Sequence, residues 1–406
     1  MKTDIFNSNR PLGKLVHKVK RVLDYTRALV LYYLTKPIAF FARKLSAKNR
    51  NVWLVSERGN DARDNGYWFF RWLREEHPEL RAYYVIDSDA ADYGKVSGLG
   101  ETVRLGSLKH YYLYNLADNL VGTHVQPAAP DSMIFYRLGG KGILAHGRQI
   151  FLQHGVIKDN MEWMHYPKLR VDIFVCGAKK EFEYIDSVYG HPKGVAQYLG
   201  LCRFDHLLTA SAPKKQILVM PTWRGYYYPK GNEFLGTDFY KYFQSFLSDP
   251  RLIAMLKELD YQLIFYPHIE LQSELGAFKS EDERIILADS AHYDVQQLLM
   301  DCEVLITDYS SVYFDVGFLR KPVLYYQFDE EEFRKIHYSQ GYFVYDRDGF
   351  GPVCRDEESL MSELLKLAAR GFKIDDEYLQ KETDCFPLHD ANNRQRTYDA
   401  ILALKK

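Results

Sequence analysis

Cysteine is scarce in this chain. Cys176, Cys202, Cys302, Cys354 and Cys385 are scattered, odd in number and form no CxxC pair, which argues against a disulfide framework or a cysteine zinc site and fits a reducing compartment. No apolar run reaches the ~18 residues of a bilayer span, since Lys36-Pro37 separates the two best, Ala28 to Leu34 and Ile38 to Phe41. No cleavable signal-peptide pattern is visible, because the first apolar run starts late and lacks a small-residue cleavage site. Net charge is −1, from 53 Lys+Arg against 54 Asp+Glu, so no global case exists for a nucleic-acid partner. Internal repeats, low-complexity tracts, a P-loop, a strand-linked GxGxxG and HExxH are all missing. Asp87-Ser88-Asp89 has the DxD spacing of some metal sites, but two acids in an acidic loop with Asp92 seldom make a specific one, and no metal is expected.

Apolar material is plentiful. Hydrophobic residues make up 47% and aromatics 15% of 406 residues, enough for two ordinary domains and ring-lined surfaces. Charge is unevenly spread: residues 10–50 carry eleven Lys or Arg against Asp24 alone. Basic blocks alternating with rings predict an amphipathic helix or helix pair at 1–50, lying on an anionic membrane face. The plainer reading is a solvated basic helix packed on the main body. On the membrane reading, removing Met1 to Lys48 should leave a soluble enzyme that no longer sediments with anionic liposomes.

From Asn51 short apolar runs alternate with polar loops and amphipathic segments, which predicts parallel sheets covered on both faces. Strands are expected at 51–56, 81–86, 119–122, 149–153, 171–176, 216–220, 263–266, 285–288, 304–307 and after Pro322. Gly139 to His146 reads as a Gly-rich loop, Tyr226-Tyr227-Tyr228-Pro229 as a loop, and Asp329 to Gly351 as an external loop. A linker-like change between Gly200 and Lys215 divides the body into domains 51–205 and 206–406, the second closed by helices.

The distinctive polar residues share one position. His124, His154, Thr222 with Arg224, His268, and Asp308 with Ser310 and Ser311 each follow a short apolar run. In parallel α/β sheets, ligands bind outside the carboxyl ends of strands. A single histidine there is more often structural than catalytic, but several from both halves point to a cleft. Histidine can act as base or as phosphate partner, arginine offers phosphate a bidentate fork, and Asp308-Tyr309-Ser310-Ser311 opens a helix whose N–H groups can cap or hold an anion. These residues suit phosphoryl or glycosyl transfer from an activated nucleotide.

Those motifs also resemble a known family. Phe151-Leu152-Gln153-His154-Gly155, Pro221-Thr222-Trp223-Arg224, Tyr266-Pro267-His268, Asp64-Asn65-Gly66 and above all Ile306 to Asp315 (ITDYSSVYFD) are similar to the CDP-glycerol glycerophosphotransferases of teichoic acid and capsule assembly. The resemblance implies a GT-B-like α/β fold: two Rossmann-like parallel-sheet domains facing a cleft, with the terminal helices packing back, to which the basic N-terminal stretch adds a helical extension. It implies a peripheral enzyme on the cytoplasmic membrane face, moving glycerol phosphate from CDP-glycerol, or ribitol phosphate from CDP-ribitol, to a lipid-linked saccharide or polymer, with no tightly bound cofactor. His154 falls where the family keeps a proposed base, and His268 where a second histidine meets the donor pyrophosphate. Thr222, Arg224, Thr307, Asp308, Ser310, Ser311 and Arg394 fall on the donor side, and Asp64, Asn65 and His124 on the acceptor side. The C-terminal run His389-Asp390-Ala391-Asn392-Asn393-Arg394 departs from the family's Asp-Gly form. Two other readings stay open: a GT-B glycosyltransferase using a nucleotide sugar, and a non-catalytic membrane scaffold.

Overall fold

The computed structural model describes residues 11–139, 146–224, 232–336 and 338–404. Most of the Gly139–His146 loop and the Tyr226-Tyr227-Tyr228-Pro229 loop fall outside them.

The expected strands, joined by three short edge strands that were not expected (Glu101–Val103, Ala196–Tyr198 and Val353–Cys354), form two sheets. The first contains β1 (Val52–Ser56), β2 (Arg81–Val85), β3 (Glu101–Val103), β4 (Asn119–Gly122), β5 (Arg148–Phe151), β6 (Ile173–Cys176) and β7 (Ala196–Tyr198), in spatial order β3-β2-β1-β4-β5-β6-β7. The second contains β8 (Gln216–Met220), β9 (Gln262–Phe265), β10 (Ile285–Leu287), β11 (Val304–Thr307), β12 (Val323–Tyr326) and β13 (Val353–Cys354), in order β10-β9-β8-β11-β12-β13. Every strand pair is parallel. The runs are continuously apolar because helices cover both faces: VWLVS, VLIT and VLYY are buried at every position. In each sheet the order reverses once, between β1 and β4 and between β8 and β11. Such a reversal opens a crevice at the carboxyl ends of the central strands.

The basic N-terminal stretch is one helix, α1 (Pro11–Leu45), which runs straight through Pro37. Packing carries it past the missing N–H. Ala28, Tyr32, Thr35 and Ala39, one helical stripe, are buried on the helix Leu108–Leu116. Asn115 Nδ2 donates to Tyr32 O (3.0 Å) and Thr35 Oγ1 (2.9 Å), and Arg43 pairs with Asp118 at 2.7 Å. The other face stays open: Val30, Tyr33, Leu34, Ile38, Phe40 and Phe41 are each more than half exposed. Among the described residues, no helix is long and apolar enough to cross a membrane.

One expectation is corrected here. The segment after Asp329 is not an external loop, since Phe333, Phe343, Tyr345 and Phe350 are buried in the core around Tyr309 and Tyr313. The charges of Asp329 to Glu332 masked an aromatic spacing that packs inward. At the C-terminus, helix Asn393–Ala403 lies back on the first sheet. Tyr398 stacks on Trp53 (5.7 Å), and Arg148 donates to Ile401 O (2.9 Å) and Leu404 O (2.7 Å).

Candidate active site

Where the carboxyl ends of the two sheets meet lies a cleft of about 280 Å³. Arg58 and the His154-Gly155 turn form one wall, and Thr222, Trp223, His268, Ser310 and Ser311 form the other. The walls touch: a Cβ on Gly155 would come within 2.8 Å of Ser311 Oγ, so any larger residue here would push that hydroxyl aside.

The turn carrying His154 is held from several directions. After β5, Gln153 takes a left-handed backbone (φ 61°), which swings the chain out of the sheet. Its side-chain amide donates to Val175 O and to Glu181 Oε1 (3.1 Å). Glu181, buried in the first turn of helix Lys179–Val188, also accepts the N–H groups of Ile157 (2.5 Å) and Gly177 (2.6 Å). Asn65 Nδ2 donates to Gln153 O (2.9 Å), and Arg203 Nη1 to His154 O (3.0 Å). The His154 ring itself is exposed to the cleft. Protein crowding around it lowers its pKa from the usual imidazole value, against the opposing charge of Asp64. His124, from the end of β4, lies parallel to it at 5.9 Å. Burial, helped by the like charges of His154 and Arg58, pushes His124 down to about 4. Both rings are therefore neutral at pH 7, as a proton acceptor must be.

On the opposite wall His268 follows β9. Its Nδ1 accepts the Glu270 N–H at 3.3 Å, which leaves the proton of the neutral ring on Nε2 as a donor. Burial lowers the His268 pKa too, against Glu270. Ser310 and Ser311 open helix Val312–Phe318, half-buried at the cleft. Thr222 lines the same wall, with its Oγ1 unpartnered among the described residues.

Several expected ligand contacts prove structural. Arg224 is 2% exposed, and its fork is consumed by Asp329 (2.6 and 3.0 Å), Asp308 (2.8 Å) and Thr222 O (2.7 Å). Asp308 is buried and accepts the Thr222 N–H (2.8 Å), so it ties the end of β8 to β11 rather than facing a ligand. Thr307 Oγ1 likewise donates to Met220 O at 2.7 Å. Arg394 lies away from the cleft, donating to Cys202 O (3.1 Å) above the Trp68 ring. Asp64 caps helix α2 (Asn65–Glu76) and pairs with Arg203 at 2.8 Å, while Asn65 is fully buried. These two build the support beneath His154; Asn65 offers no surface to an acceptor, and the partly exposed Asp64 is held by Arg203. Among the described residues, no group of three or more His, Cys, Asp or Glu could hold a metal ion.

Three residues of the site went unrecognised in the sequence. Arg58 obeys the strand-end rule, two residues beyond β1, and could have been found by it. Glu181 and Arg203 carry no local signal. Arg203 lies in the stretch read as a linker, yet it joins Asp64 of one domain to Asp315 of the other (2.6 and 2.8 Å).

Two Rossmann-like parallel sheets opposed at their carboxyl ends make this a GT-B-like protein. The chain belongs to the CDP-Glycerol:Poly(glycerophosphate) glycerophosphotransferase family, whose sequence profile matches residues 38–403. It is 28% identical over 365 residues to the minor teichoic acid biosynthesis protein GgaB of Bacillus subtilis, covering 87% of this chain and 40% of that protein. It is 24% identical over 400 residues to the teichoic acid poly(glycerol phosphate) polymerase of the same organism, covering 89% of this chain and 50% of the relative. The chain thus spans about half or less of these relatives' length. Its fold is similar to that of the wall teichoic acid polymerase TagF, with a TM-score of 0.66 at 20% identity over 95% of this chain and 97% of that one. A putative UDP-N-acetylglucosamine 2-epimerase from Listeria monocytogenes shares the architecture, with a TM-score of 0.54 at 14% identity over 87% and 96% of the two chains.

Proposed function

We propose that this protein transfers glycerol phosphate, or a related alditol phosphate, from CDP-glycerol to a lipid-linked acceptor or growing polymer and releases CMP. The observation that carries the reading is the pair His154 and His268, one from each sheet, facing a single cleft beside Ser310 and Ser311. Family membership and the teichoic acid relatives support the choice of donor. An acceptor hydroxyl attacks the β-phosphorus of the donor. The new P–O bond forms as the bond to the α-phosphate oxygen breaks, and CMP leaves. His154 takes the hydroxyl proton. His268 and the two serine hydroxyls donate to phosphate oxygens, where phosphoryl transfer needs most of its stabilisation. No tightly bound cofactor takes part.

The open face of α1 supports membrane docking. Its exposed rings and aliphatic side chains run beside Lys18, Lys20, Arg21, Lys36 and Lys44, the pairing of apolar area and basic charge that holds a helix on an anionic leaflet. On this reading the enzyme works as a peripheral protein on the cytoplasmic face, beside a lipid-linked acceptor.

The deciding experiment is CMP release from CDP-glycerol, CDP-ribitol and UDP- and GDP-sugars by wild type and His154→Ala. Wild type should release CMP from a CDP-alditol, and the variant should fold and release almost none. A variant near the wild-type rate would remove His154 from the chemistry. Nucleotide release from a sugar donor alone would replace the reaction with glycosyl transfer.

A further inference from the structure

The negative charge of the proposed donor has to be balanced inside the cleft. A pyrophosphate diester carries a charge on each phosphate, and Arg224, the expected counter-charge, is spent on Asp308 and Asp329. Building on the CDP-alditol reading, we propose that Arg58 is the residue whose guanidinium binds the phosphates of the donor.

Two other cation sources in the cleft are unsuited. Lys158 lines it but is buried and paired with Asp159 at 2.6 Å. The histidines have lowered pKa values, so at pH 7 they supply hydrogen bonds without full charge. Arg58 is different. It lines the cleft, is exposed, and forms no ion pair among the described residues. Asp61 is close enough to feel its charge without pairing with it. His124 and His154 on one wall and His268 on the other all sense that charge, so the guanidinium acts where the two walls converge.

Its backbone is fixed even though its side chain is not. Arg58 stands two residues beyond β1, at the order reversal of the first sheet. Before it, the buried Glu57 carboxylate accepts the N–H groups of Arg63 (3.0 Å), Asp64 (3.0 Å) and Tyr67 (2.6 Å), which folds the following loop onto the strand end. After it, Gly59 adopts φ 88°, and its carbonyl accepts the Asp87 N–H at 2.7 Å. A Cβ on Gly59 would strike Leu105 at 2.7 Å, so the ledge closes tightly behind Arg58. A long cationic side chain on a rigid base, beside neutral donors, can order around an anion as it binds.

Steady-state kinetics of the full chain with Arg58→Ala, Arg58→Lys and Arg58→Gln test this, with acceptor concentration varied separately. The KM for CDP-glycerol should rise about ten- to a hundredfold in the Ala and Gln variants, the range for one charge-assisted contact. Lys should recover part of the loss, because it restores charge without the fork. The acceptor KM should stay within about twofold, and unliganded melting should change little, since the Arg58 side chain forms no ion pair among the described residues. An unchanged donor KM overturns the proposal, as does a rise confined to the acceptor KM, which would give Arg58 to an acceptor phosphate. Wild-type protein that neither gains thermal protection from CDP-glycerol nor releases CMP would overturn the donor reading, and the Arg58 assignment with it.

Discussion

Replacing Arg203 with methionine should damage stability and chemistry by separate routes. The guanidinium donates to both Asp315 oxygens (2.6 and 2.8 Å), to Asp64 (2.8 Å) and to His154 O (3.0 Å). Asp315 is 2% exposed in its side chain, so the change strands a buried carboxylate. Breaking a buried pair from one side costs about 3–5 kcal/mol. At about 2–4 °C per kcal/mol for a domain of ordinary size, the melting temperature should fall by about 6–20 °C. The double variant Arg203→Met/Asp315→Leu removes both charges and should regain most of that loss, as apolar replacements of buried pairs do. It cannot restore the bond to His154 O. The rate of CMP release should therefore stay low in the double variant while its KM for CDP-glycerol stays near wild type. Melting curves and kinetics on wild type, both single variants and the double give the comparison. A double variant with wild-type kcat would show that Arg203 acts through stability alone, and an unaltered single variant would refute any role for its contacts.

Two further outcomes are expected. Burial pushes His110 down to about 4, with Nδ1 accepting the Gly106 N–H and Nε2 donating to Ala128 O. Below about 6.5 the unfolded chain takes up a proton that the folded one refuses, so stability falls with pH between about 6.5 and 4, by about 3 kcal/mol in total from this group. His110→Gln should flatten the denaturation-versus-pH slope by one proton over that window, and an unchanged slope would count against it. On α1, Leu34→Ser/Phe40→Ser/Phe41→Ser should lose sedimentation with anionic liposomes while keeping turnover of a soluble acceptor analogue; retained sedimentation would move the membrane contact elsewhere. This is a cleaner test than deleting Met1 to Lys48, which would uncover the apolar face of Leu108–Leu116 that Ala28, Tyr32 and Ala39 cover.

The central strand positions, the two-sheet architecture and the strand-end cluster were legible in the sequence because their causes are local, whereas the short edge strands β3, β7 and β13 were not. A strand buried on both faces must be apolar along its length, and the polar residue that ends it marks the rim of the sheet. His154, His268, Thr222, Ser310 and Ser311 were found that way, and all line the cleft. The rule says which residues reach the rim, not what they meet there. Arg224 and Asp308 reach it and are used up by each other and by Asp329, 105 residues beyond Arg224. Arg58 reaches it, lines the cleft and forms no ion pair among the described residues. Asp64 and Asn65 turn out to brace His154, because Arg203 arrives from 139 residues away to complete their contacts. Local apolarity thus determined the framework and the candidates. Whether a charged side chain is satisfied by protein or left for a ligand was decided by long-range pairing in the tertiary structure.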